Sequence, residues 1–216
     1  MVNLINLLNR DGYVFLASYM PNTSTSEFVQ FLTVKEGLSA ISKIHALKPL
    51  RTNESTPNTY SGNYGFEEFP LHTDLAHWPL PPRFLLLRCK QGSSQVATRI
   101  LDGRKAIRDI GARVLERALV KPRRPFEGKF PLMRLFLSGT PDLLRWDKTF
   151  IVSASPAGEH GIEAMTELLS RVSTIEVVLK NACDTLLIDN WRMLHGRSAI
   201  PANANDRVID RVYLGE

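Results

Sequence analysis

The sequence predicts a mainly β fold with flanking helices, a sandwich or open barrel of the jelly-roll type. Short apolar segments of strand length alternate with turn residues along most of the chain, and few segments have helical periodicity. The chain has 216 residues and is 44% hydrophobic, enough for one well-filled core and too few for two full domains. We therefore predict a single domain over residues 1–216.

The first third of the chain predicts two helices, one strand and a long loop. A short helix precedes an apolar strand at residues 12–16. The capping-box sequence at residues 24–27 predicts the start of a second helix, which should end near Gly37. Residues 49–65 are rich in Asn, Ser, Thr, Pro and Gly, a composition typical of a loop.

The middle of the chain predicts a β-hairpin followed by a helix. Residues 83–89 form a continuous apolar run, which indicates a strand buried on both faces. A turn at residues 91–94 and a second strand at residues 95–101 predict that the two strands pair. Asp102 could cap a helix whose apolar residues recur at helical spacing from 106 to 118.

The last part of the chain predicts five strands and one amphipathic helix. The helix covers residues 161–172. The strands cover residues 130–137, 149–154, 174–180, 185–189 and 206–214. With the helices packed outside, these strands complete the predicted sandwich.

Composition excludes some classes of protein. No apolar run approaches the roughly 18–20 residues of a membrane span, so we expect no membrane partner. Asn3, Asn6 and Asn9 interrupt the N-terminal apolar stretch, so we expect no signal peptide. Cys89 and Cys183 are the two cysteines, and both lie in apolar runs. They predict buried free thiols and a cytoplasmic protein.

The net charge of +5 and the pI of about 9.4 raise the question of an anionic partner. The basic residues do not gather into one block, and the densest group is Lys-Pro-Arg-Arg at residues 121–124. We interpret this group as a solvated loop rather than a polyanion site. An anionic small molecule would also suit an arginine-rich interior.

The strongest chemical signal is a histidine and a carboxylate two positions apart, with one more histidine far along the chain. On an extended strand His72 and Asp74 point to the same face. Together with His195 they would form a two-histidine, one-carboxylate triad, which holds Fe(II) and leaves one side of the metal open. His-x-Asp alone is a weak signal, and a structural role is the more usual fate of a single histidine.

A pair of arginines near the C-terminus strengthens this interpretation. Arg207 and Arg211 are four positions apart, so on one strand their side chains emerge on the same face. Inward-facing arginines in an apolar strand need anionic partners, and a dicarboxylate would supply them. The alternative is that both face solvent or pair with Asp206 and Asp210.

Three motifs together resemble the Fe(II)/2-oxoglutarate-dependent oxygenases of the taurine dioxygenase superfamily, especially the clavaminate synthase-like amino-acid hydroxylases. They are His-Thr-Asp preceded by Phe-Pro, then Asp-Asn-Trp-Arg-Met-Leu-His-Gly-Arg, then Arg-x-x-x-Arg-Val-Tyr. The resemblance covers residues 60–102 and 183–214. It implies a double-stranded β-helix, the cupin-like jelly roll.

The resemblance also implies roles for individual residues. The iron ligands would be His72, Asp74 and His195. Thr98 would hydrogen-bond to 2-oxoglutarate. Arg207 would pair with the distal carboxylate of 2-oxoglutarate, and Arg211 would lie near its C1 carboxylate and the substrate, although the two arginines could exchange these roles. Arg197 is a further candidate. Apart from the resemblance, Asn190 and Asp189 are near enough in sequence to hold the ligating imidazoles in place, although they could equally have ordinary roles at the end of a strand.

The substrate side of the site is less defined by the sequence. Candidate substrate-contacting residues are Tyr60, Ser61, Tyr64, Trp78 and Arg211. The tyrosines could instead pack within their loop. Trp78, like the neighbouring His77, could pack under the proline-rich turn that follows it.

The resulting hypothesis is a dioxygenase that uses Fe(II), 2-oxoglutarate and O2. It would oxidise an unactivated C–H of a small, polar, amino-acid-like substrate, with release of succinate and CO2. One alternative is an oxygenase directed at nucleic acid, which the basic pI suggests but which the lack of a basic stripe with interleaved aromatics disfavours. Another is a jelly-roll binding protein without catalysis. The sequence does not indicate the oligomeric state.

Overall fold

The computed structural model describes residues 3–216 of the chain. Its helices are α1 (Leu4–Asp11), α2 (Thr25–Glu36), α3 (Tyr60–Tyr64), α4 (Arg104–Ile110), α5 (Ala112–Arg117) and α6 (Pro156–Arg171). Its strands are β1 (Tyr13–Leu16), β2 (Ser39–Ala40), β3 (His45–Leu47), β4 (Phe69–His72), β5 (Phe84–Gln91), β6 (Ala97–Asp102), β7 (Leu119–Pro122), β8 (Met133–Arg134), β9 (Phe136–Leu137), β10 (Leu143–Leu144), β11 (Ile151–Ser153), β12 (Ile175–Val178), β13 (Thr185–Asp189), β14 (Met193–Arg197) and β15 (Val208–Gly215).

Two antiparallel sheets form the centre of the molecule. The larger sheet has the order β1-β13-β5-β15-β2, with β3 also paired to β15. The smaller sheet has the order β12-β6-β14-β4. From β4 onward the chain passes back and forth between them, with β5, β13 and β15 in the larger sheet and β4, β6, β12 and β14 in the smaller. This is the jelly-roll arrangement that the sequence predicts.

The facing sides of the two sheets enclose an apolar core. Leu87 of β5, Ile100 of β6 and Ile188 of β13 belong to this core, which continues to Ile209 and Tyr213 of β15. The site described below lies at one end of the same interior. The apolar residues of β5 serve two cores because successive side chains point to opposite faces of the sheet.

Helices cover the outer faces of both sheets. α1 and α2 pack on the larger sheet, where Leu8 and Phe28 meet Leu86. The capping box predicted at residues 24–27 is present, and α2 ends where Gly37 adopts a left-handed conformation. α4, α5 and α6 cover the smaller sheet together with the short strands of residues 119–153.

The predicted hairpin between β5 and β6 is wrong. β5 pairs with β13 and β15, whereas β6 pairs with β12 and β14. Residues 92–96 therefore carry the chain from one sheet to the other instead of turning it back. The crossing runs so close to the backbone near Lys180 that a Cβ on Gly92 would lie 2.4 Å from the Lys180 carbonyl oxygen.

The helix predicted through residue 118 is divided into α4 and α5. Gly111 has a φ of +101°, which a helix cannot contain, and it breaks the pattern at this point. The N-cap of α4 is Gly103, not Asp102 as predicted. Asp102 precedes the cap and accepts a hydrogen bond from the backbone N–H of Arg104 at 3.0 Å. α6 begins at Pro156, earlier than predicted, because Ser155 caps it and accepts from the N–H of Gly158.

Three further expectations need correction. The predicted loop at residues 49–65 contains helix α3, which follows the cap Thr59. The predicted strand at residues 130–137 is two short strands, β8 and β9, in different small sheets. Cys89 is buried as expected, but Cys183 is only half-buried because it lies in the turn before β13 with a φ of +65°.

Among residues 3–216, no helix combines the length and the apolar character needed to cross a membrane.

Candidate active site

The structure brings the three predicted metal ligands together. β4 and β14 are neighbours, and their register places His72 directly opposite His195, with ring centroids 4.5 Å apart. Asp74 follows two residues after His72, past the end of β4. Its Oδ1 lies 3.3 Å from Nε2 of His72 and 3.6 Å from Nε2 of His195. All three side chains are buried, and one donor atom from each lies within 4.8 Å of the others.

Neighbouring groups fix the orientation of Asp74. Its N–H donates to Oδ1 of Asn190 at 2.7 Å, and Nδ2 of Asn190 donates to its carbonyl at 3.0 Å. The Tyr213 hydroxyl donates to Asp74 Oδ2 at 3.0 Å. These contacts leave Oδ1 as the oxygen that faces the histidines. Asn190 thus holds the aspartate, whereas Asp189 accepts from the N–H of Trp191 and has no such contact.

The histidines differ in how they are held. Nδ1 of His72 donates to the Pro70 carbonyl at 2.8 Å, so its Nε2 is the nitrogen directed into the site. The ring of Tyr60 stacks on His72 at 4.1 Å between centroids. Nδ1 of His195 is buried and has no hydrogen-bond partner within residues 3–216.

The charges at the triad are coupled. Burial alone would raise the pKa of Asp74, but hydrogen bonds from His195 and His72 and the charge of Arg211 hold that pKa well below its usual range. Burial would lower the pKa of His72, but Asp74 outweighs it and the pKa is raised. The pKa of His195 is lowered by burial and by the neighbouring His72. The triad thus combines a carboxylate that stays ionised with two imidazoles, a donor set suited to a divalent cation.

The geometry of the triad fits a transition metal. Ligand bonds of about 2.1 Å place adjacent donors of an octahedral site about 3 Å apart. The distances of 3.3 and 3.6 Å from Asp74 to the two histidines are close to this value. Two imidazoles and one carboxylate, with the rest of the metal's surroundings facing a cavity, are the ligand set of non-haem Fe(II) oxygenases.

β15 directs a row of side chains into that cavity. Arg207, just before the strand, and Ile209, Arg211 and Tyr213 alternate along it, and all four line the cavity. A bulge between Val208 and Ile209 shifts the pairing with β5, but the two arginines still face the same interior. The structure therefore places both predicted arginines inward.

Arg207 is a buried cation without an anionic partner. Within residues 3–216 its Nε has no hydrogen bond and its guanidinium forms no ion pair. Burial lowers the pKa of Arg207. The two acids considered as alternative partners are engaged elsewhere, since Asp206 accepts from Gln91 and Asp210 accepts from Thr25. A buried, unpaired guanidinium that lines a cavity is a suitable partner for an anion in that cavity.

Arg211 and Thr98 complete the same wall. Nη1 of Arg211 lies 3.7 Å from Asp74 Oδ2, and its Nε is buried without a partner in the described chain. Thr98, in β6 rather than in a hairpin with β5, is buried and lines the cavity. Its register neighbour on β14 is Arg197.

Arg197 has a different role. Its Nη2 donates to the carbonyls of Gly65 and Glu67 at 2.9 and 2.8 Å, and its guanidinium lies 3.8 Å from the centroid of Phe69. Burial lowers the pKa of Arg197 to about 10. This arginine therefore anchors the segment that leads into β4.

The cavity next to the triad has a volume of about 450 Å³. Of the candidate substrate residues, Tyr60, Ser61 and Arg211 line it. Tyr64 packs beside Tyr60 and bonds to Thr149, and it lines a neighbouring cavity. Trp78 lines neither cavity. It lies against Phe126 and is 38% exposed.

Asp147 is a cavity residue that the sequence did not indicate. Its Oδ1 accepts from the N–H groups of Thr149 and Phe150 at 2.8 and 3.0 Å, and its Oδ2 accepts from the Tyr60 hydroxyl at 2.6 Å. It is 1% exposed and forms no ion pair within the described chain. Burial raises the pKa of Asp147. Its local hydrogen bonds are those of an ordinary turn, so the sequence signal is that of a loop.

No family model and no curated protein match the chain. Several solved structures do share its fold. Asparagine oxygenase in complex with Fe(II), 3-hydroxyasparagine and succinate has a TM-score of 0.62 and 15% identity, covering 79% of this chain and 56% of that chain. Non-heme iron oxygenase OrfP in complex with Fe and alpha-ketoglutaric acid has a TM-score of 0.71 and 19% identity, covering 97% of this chain and 76% of that chain.

A second OrfP structure, with Fe, succinate and (3S)-hydroxy-L-Arg, has a TM-score of 0.68 and 18% identity over the same shares of the two chains. The chain thus spans just over half of the asparagine oxygenase and about three quarters of OrfP. These likenesses show that the chain has the double-stranded β-helix fold found in non-haem iron oxygenases, which confirms the predicted fold class.

Proposed function

We propose that the protein is an Fe(II)- and 2-oxoglutarate-dependent dioxygenase that hydroxylates an unactivated C–H of a small, polar, amino-acid-like substrate, with release of succinate and CO2. The observation that carries the proposal is the buried triad of His72, Asp74 and His195 beside Arg207, a buried cation without an anionic partner. Residues 1–216 would form the oxygenase domain. A reducing cytoplasm would suit the two free thiols.

The chain's own residues would hold the metal and limit its surroundings. His72, Asp74 and His195 would supply three ligands on one side, and the cavity leaves the other side open. When bound, Fe(II) would supply the O2 chemistry. The protein contributes ligand geometry and the apolar walls that exclude bulk water.

Arg207 and Thr98 would bind the distal carboxylate of 2-oxoglutarate. A guanidinium presents two parallel N–H donors to a carboxylate, and the Thr98 hydroxyl can add a third donor. Both side chains are buried and line the cavity that the triad faces. A dicarboxylate held there would direct its 2-oxo acid end toward the metal site. Arg211, next to Asp74, would lie near that end and near the substrate.

The remaining polar groups support an amino-acid-like substrate. Arg211 offers a cation and Asp147 offers an anion on the walls of one cavity. A zwitterion would place its carboxylate near Arg211 and its ammonium near Asp147, so the buried carboxylate of Asp147 would gain a partner. The structurally similar oxygenases with bound hydroxyasparagine and hydroxyarginine support this choice.

The proposal can be tested by anaerobic titration. Protein with Fe(II) and 2-oxoglutarate should develop the visible charge-transfer absorption of an iron–2-oxo acid chelate. His72→Ala should abolish the absorption, and Arg207→Ala should raise the 2-oxoglutarate concentration needed for it at least tenfold. Arg108→Ala, which removes an exposed arginine on α4, is the matched control. Equal binding of 2-oxoglutarate without metal would overturn the proposal.

A second measurement addresses turnover. In air, the loaded protein should release succinate from 2-oxoglutarate slowly by itself and faster with the correct amino-acid-like substrate. A protein that forms the chelate but never releases succinate would be a binding protein, not an enzyme.

A further inference from the structure

A second cavity adjoins the active-site cavity. It has a volume of about 710 Å³ and shares Asn58, His77 and Phe150 with the first. These three residues line both spaces, and we call them the neck. The second cavity is not needed for iron or 2-oxoglutarate, since the triad, Thr98 and Arg207 all lie in the first.

The second cavity is positively charged. Its lining includes Arg123, Arg124 and Lys148, and the one acid among its lining residues is Glu127. Within residues 3–216 none of the three cations has an ion-pair partner. Nε of Arg123 donates to the Thr149 carbonyl at 2.9 Å, which holds this arginine next to the neck. The basic group of residues 121–124, expected to be a solvated loop, therefore borders a cavity.

One of the neck residues, His77, has a ring nitrogen that forms no hydrogen bond within residues 3–216. This atom is Nδ1, and it is buried. The ring of His77 lies 5.7 Å from that of Phe150, and burial lowers the pKa of His77, which favours the neutral form of the ring. A neutral imidazole beside an aromatic ring suits an uncharged linker that passes between the cavities.

The structure assigns to the second cavity an anionic group of the phosphate class that is part of the substrate. We infer that the substrate spans both cavities, with its amino-acid-like end at Asp147 and Arg211 and its phosphate-class end at Arg123, Arg124 and Lys148. The reacting end rests on the proposed function, whereas the anionic end rests on the second cavity alone.

Two physical arguments favour this substrate class. The first cavity must also hold 2-oxoglutarate, which leaves room for only a small reacting group in about 450 Å³. Two guanidiniums and one ammonium around a space with a single acid are the groups that bind phosphate oxygens, by paired N–H donors and by charge. The cations are exposed, so this contribution should weaken as salt increases.

Calorimetry with inorganic pyrophosphate tests the anionic site on the full chain without metal. Wild-type protein should bind pyrophosphate, Arg207→Ala should retain this binding, and Arg123→Ala/Arg124→Ala should weaken it at least tenfold. The matched control is Arg108→Ala/Arg113→Ala, which removes two exposed arginines elsewhere and should bind like wild type. No saturable binding, or equal losses in both double variants, would overturn the inference.

Phosphorylated amino acids of increasing length test whether one ligand reaches both cavities. The ligands are O-phospho-L-serine, O-phospho-L-homoserine and O-phospho-L-tyrosine, each compared with its unphosphorylated parent. At least one phosphorylated amino acid should bind more tightly than its parent, and its affinity should fall tenfold or more in Asp147→Asn. The same substitution should leave the affinity for pyrophosphate unchanged. If no phosphorylated amino acid responds to Asp147→Asn, the spanning substrate is wrong.

The outcomes also separate this inference from the proposed function. His72→Ala should abolish the iron–2-oxo acid absorption and retain pyrophosphate binding. A protein that forms the chelate but does not bind pyrophosphate would leave the oxygenase proposal standing and remove this one.

Discussion

Asp74 is the residue whose contacts define the site most closely. One carboxylate oxygen faces both histidines, and the other accepts from Tyr213 and lies near Arg211. A carboxylate held in this way would bind a metal through one oxygen only. The groups around the second oxygen would therefore act on a bound metal indirectly, by keeping the first oxygen in place.

Tyr213→Phe tests this positioning role. Loss of the hydroxyl frees Asp74 Oδ2, so we expect Fe(II) affinity to fall about tenfold, the lower end of what such supporting contacts contribute. The charge-transfer band of the 2-oxoglutarate complex should also shift, because the ligand field changes. Fe(II) binding is measured by anaerobic titration, with Tyr19→Phe as a control in the core beneath α2. Unchanged affinity and an unshifted band would mean that the hydroxyl only fills space.

Asp147→Asn should stabilise the metal-free protein. Burial raises the pKa of Asp147, so the folded protein holds that proton at a higher pH than the unfolded chain does. The ionised carboxylate therefore opposes folding at neutral pH. This effect diminishes as the pH falls below the pKa in the folded state and is gone below the pKa in the unfolded chain. Asn can still accept from the N–H groups of Thr149 and Phe150 through its Oδ1.

The measurement is the melting temperature of both proteins across a pH series. The variant should melt higher at neutral pH, and the difference should shrink as the pH becomes acidic. Asp142→Asn, which changes an exposed carboxylate, provides the comparison. A constant difference at every pH would show that the charge of Asp147 is not the cause.

The sequence could predict the triad and the arginines because they lie in motifs that resemble those of the 2-oxoglutarate-dependent oxygenases, with even spacings between His72 and Asp74 and between Arg207 and Arg211. The strands themselves stop short of two of these residues, since Asp74 lies past the end of β4 and Arg207 lies just before β15. Asp147 has no such relation. It enters the cavity through contacts of the segment between β6 and β12, and its nearest partner, Tyr60, is far away in sequence. Sequence spacing carries no information about a contact of that kind.

At the level of elements, the pairing of β4 with β14 sets the distance between the two histidines. Gly196 lies next to His195, and a Cβ there would lie 2.6 Å from the Phe69 carbonyl oxygen. That neighbour is backbone, which cannot rotate away. The glycine therefore allows the close approach of the strand that carries His72.

Gly196→Ala should push β4 away from β14. We expect a loss of folding stability of about 2 kcal/mol, typical of overpacking a buried backbone contact. Fe(II) affinity should fall as well, because His72 would move relative to His195. Chemical denaturation and anaerobic metal titration measure the two effects. Gly139→Ala, in an exposed loop, is the control, and a variant that binds Fe(II) normally would show that β4 position does not limit the site.

Strand and helix positions were more predictable from the sequence than strand partners. The apolar run that became β5 identifies a doubly buried strand, but the same run fits pairing with β6 as well as with β13 and β15. Only the three-dimensional path of residues 92–96 decides between them. The helix break at Gly111 is a similar case, because an isolated glycine is tolerated within a helical pattern and does not by itself indicate where the helix ends.

At the scale of the whole molecule, the site joins the two sheets. His72 and His195 belong to the smaller sheet, whereas Arg207 lies at the start of a strand in the larger one. A metal bound to the triad alone would contact the smaller sheet and the turn that carries Asp74. With 2-oxoglutarate bound to both the metal and Arg207, the two ligands would form a bridge across the interior.

This bridge predicts an unequal effect of ligands on unfolding. Ligands that bind only the folded state stabilise it by about 2.7 kcal/mol at a concentration of 100 Kd. For a chain of this size each kcal/mol raises Tm by about 2–4 °C, so Fe(II) with 2-oxoglutarate should raise Tm by about 5–10 °C under anaerobic conditions. Fe(II) alone should give a smaller shift, and 2-oxoglutarate alone almost none, because its 2-oxo acid end then has no metal.

Arg207→Ala should keep the shift in Tm from Fe(II) and lose the additional shift from 2-oxoglutarate. Equal shifts from 2-oxoglutarate with and without Fe(II) would mean that the dicarboxylate binds without the metal, and that no such bridge forms.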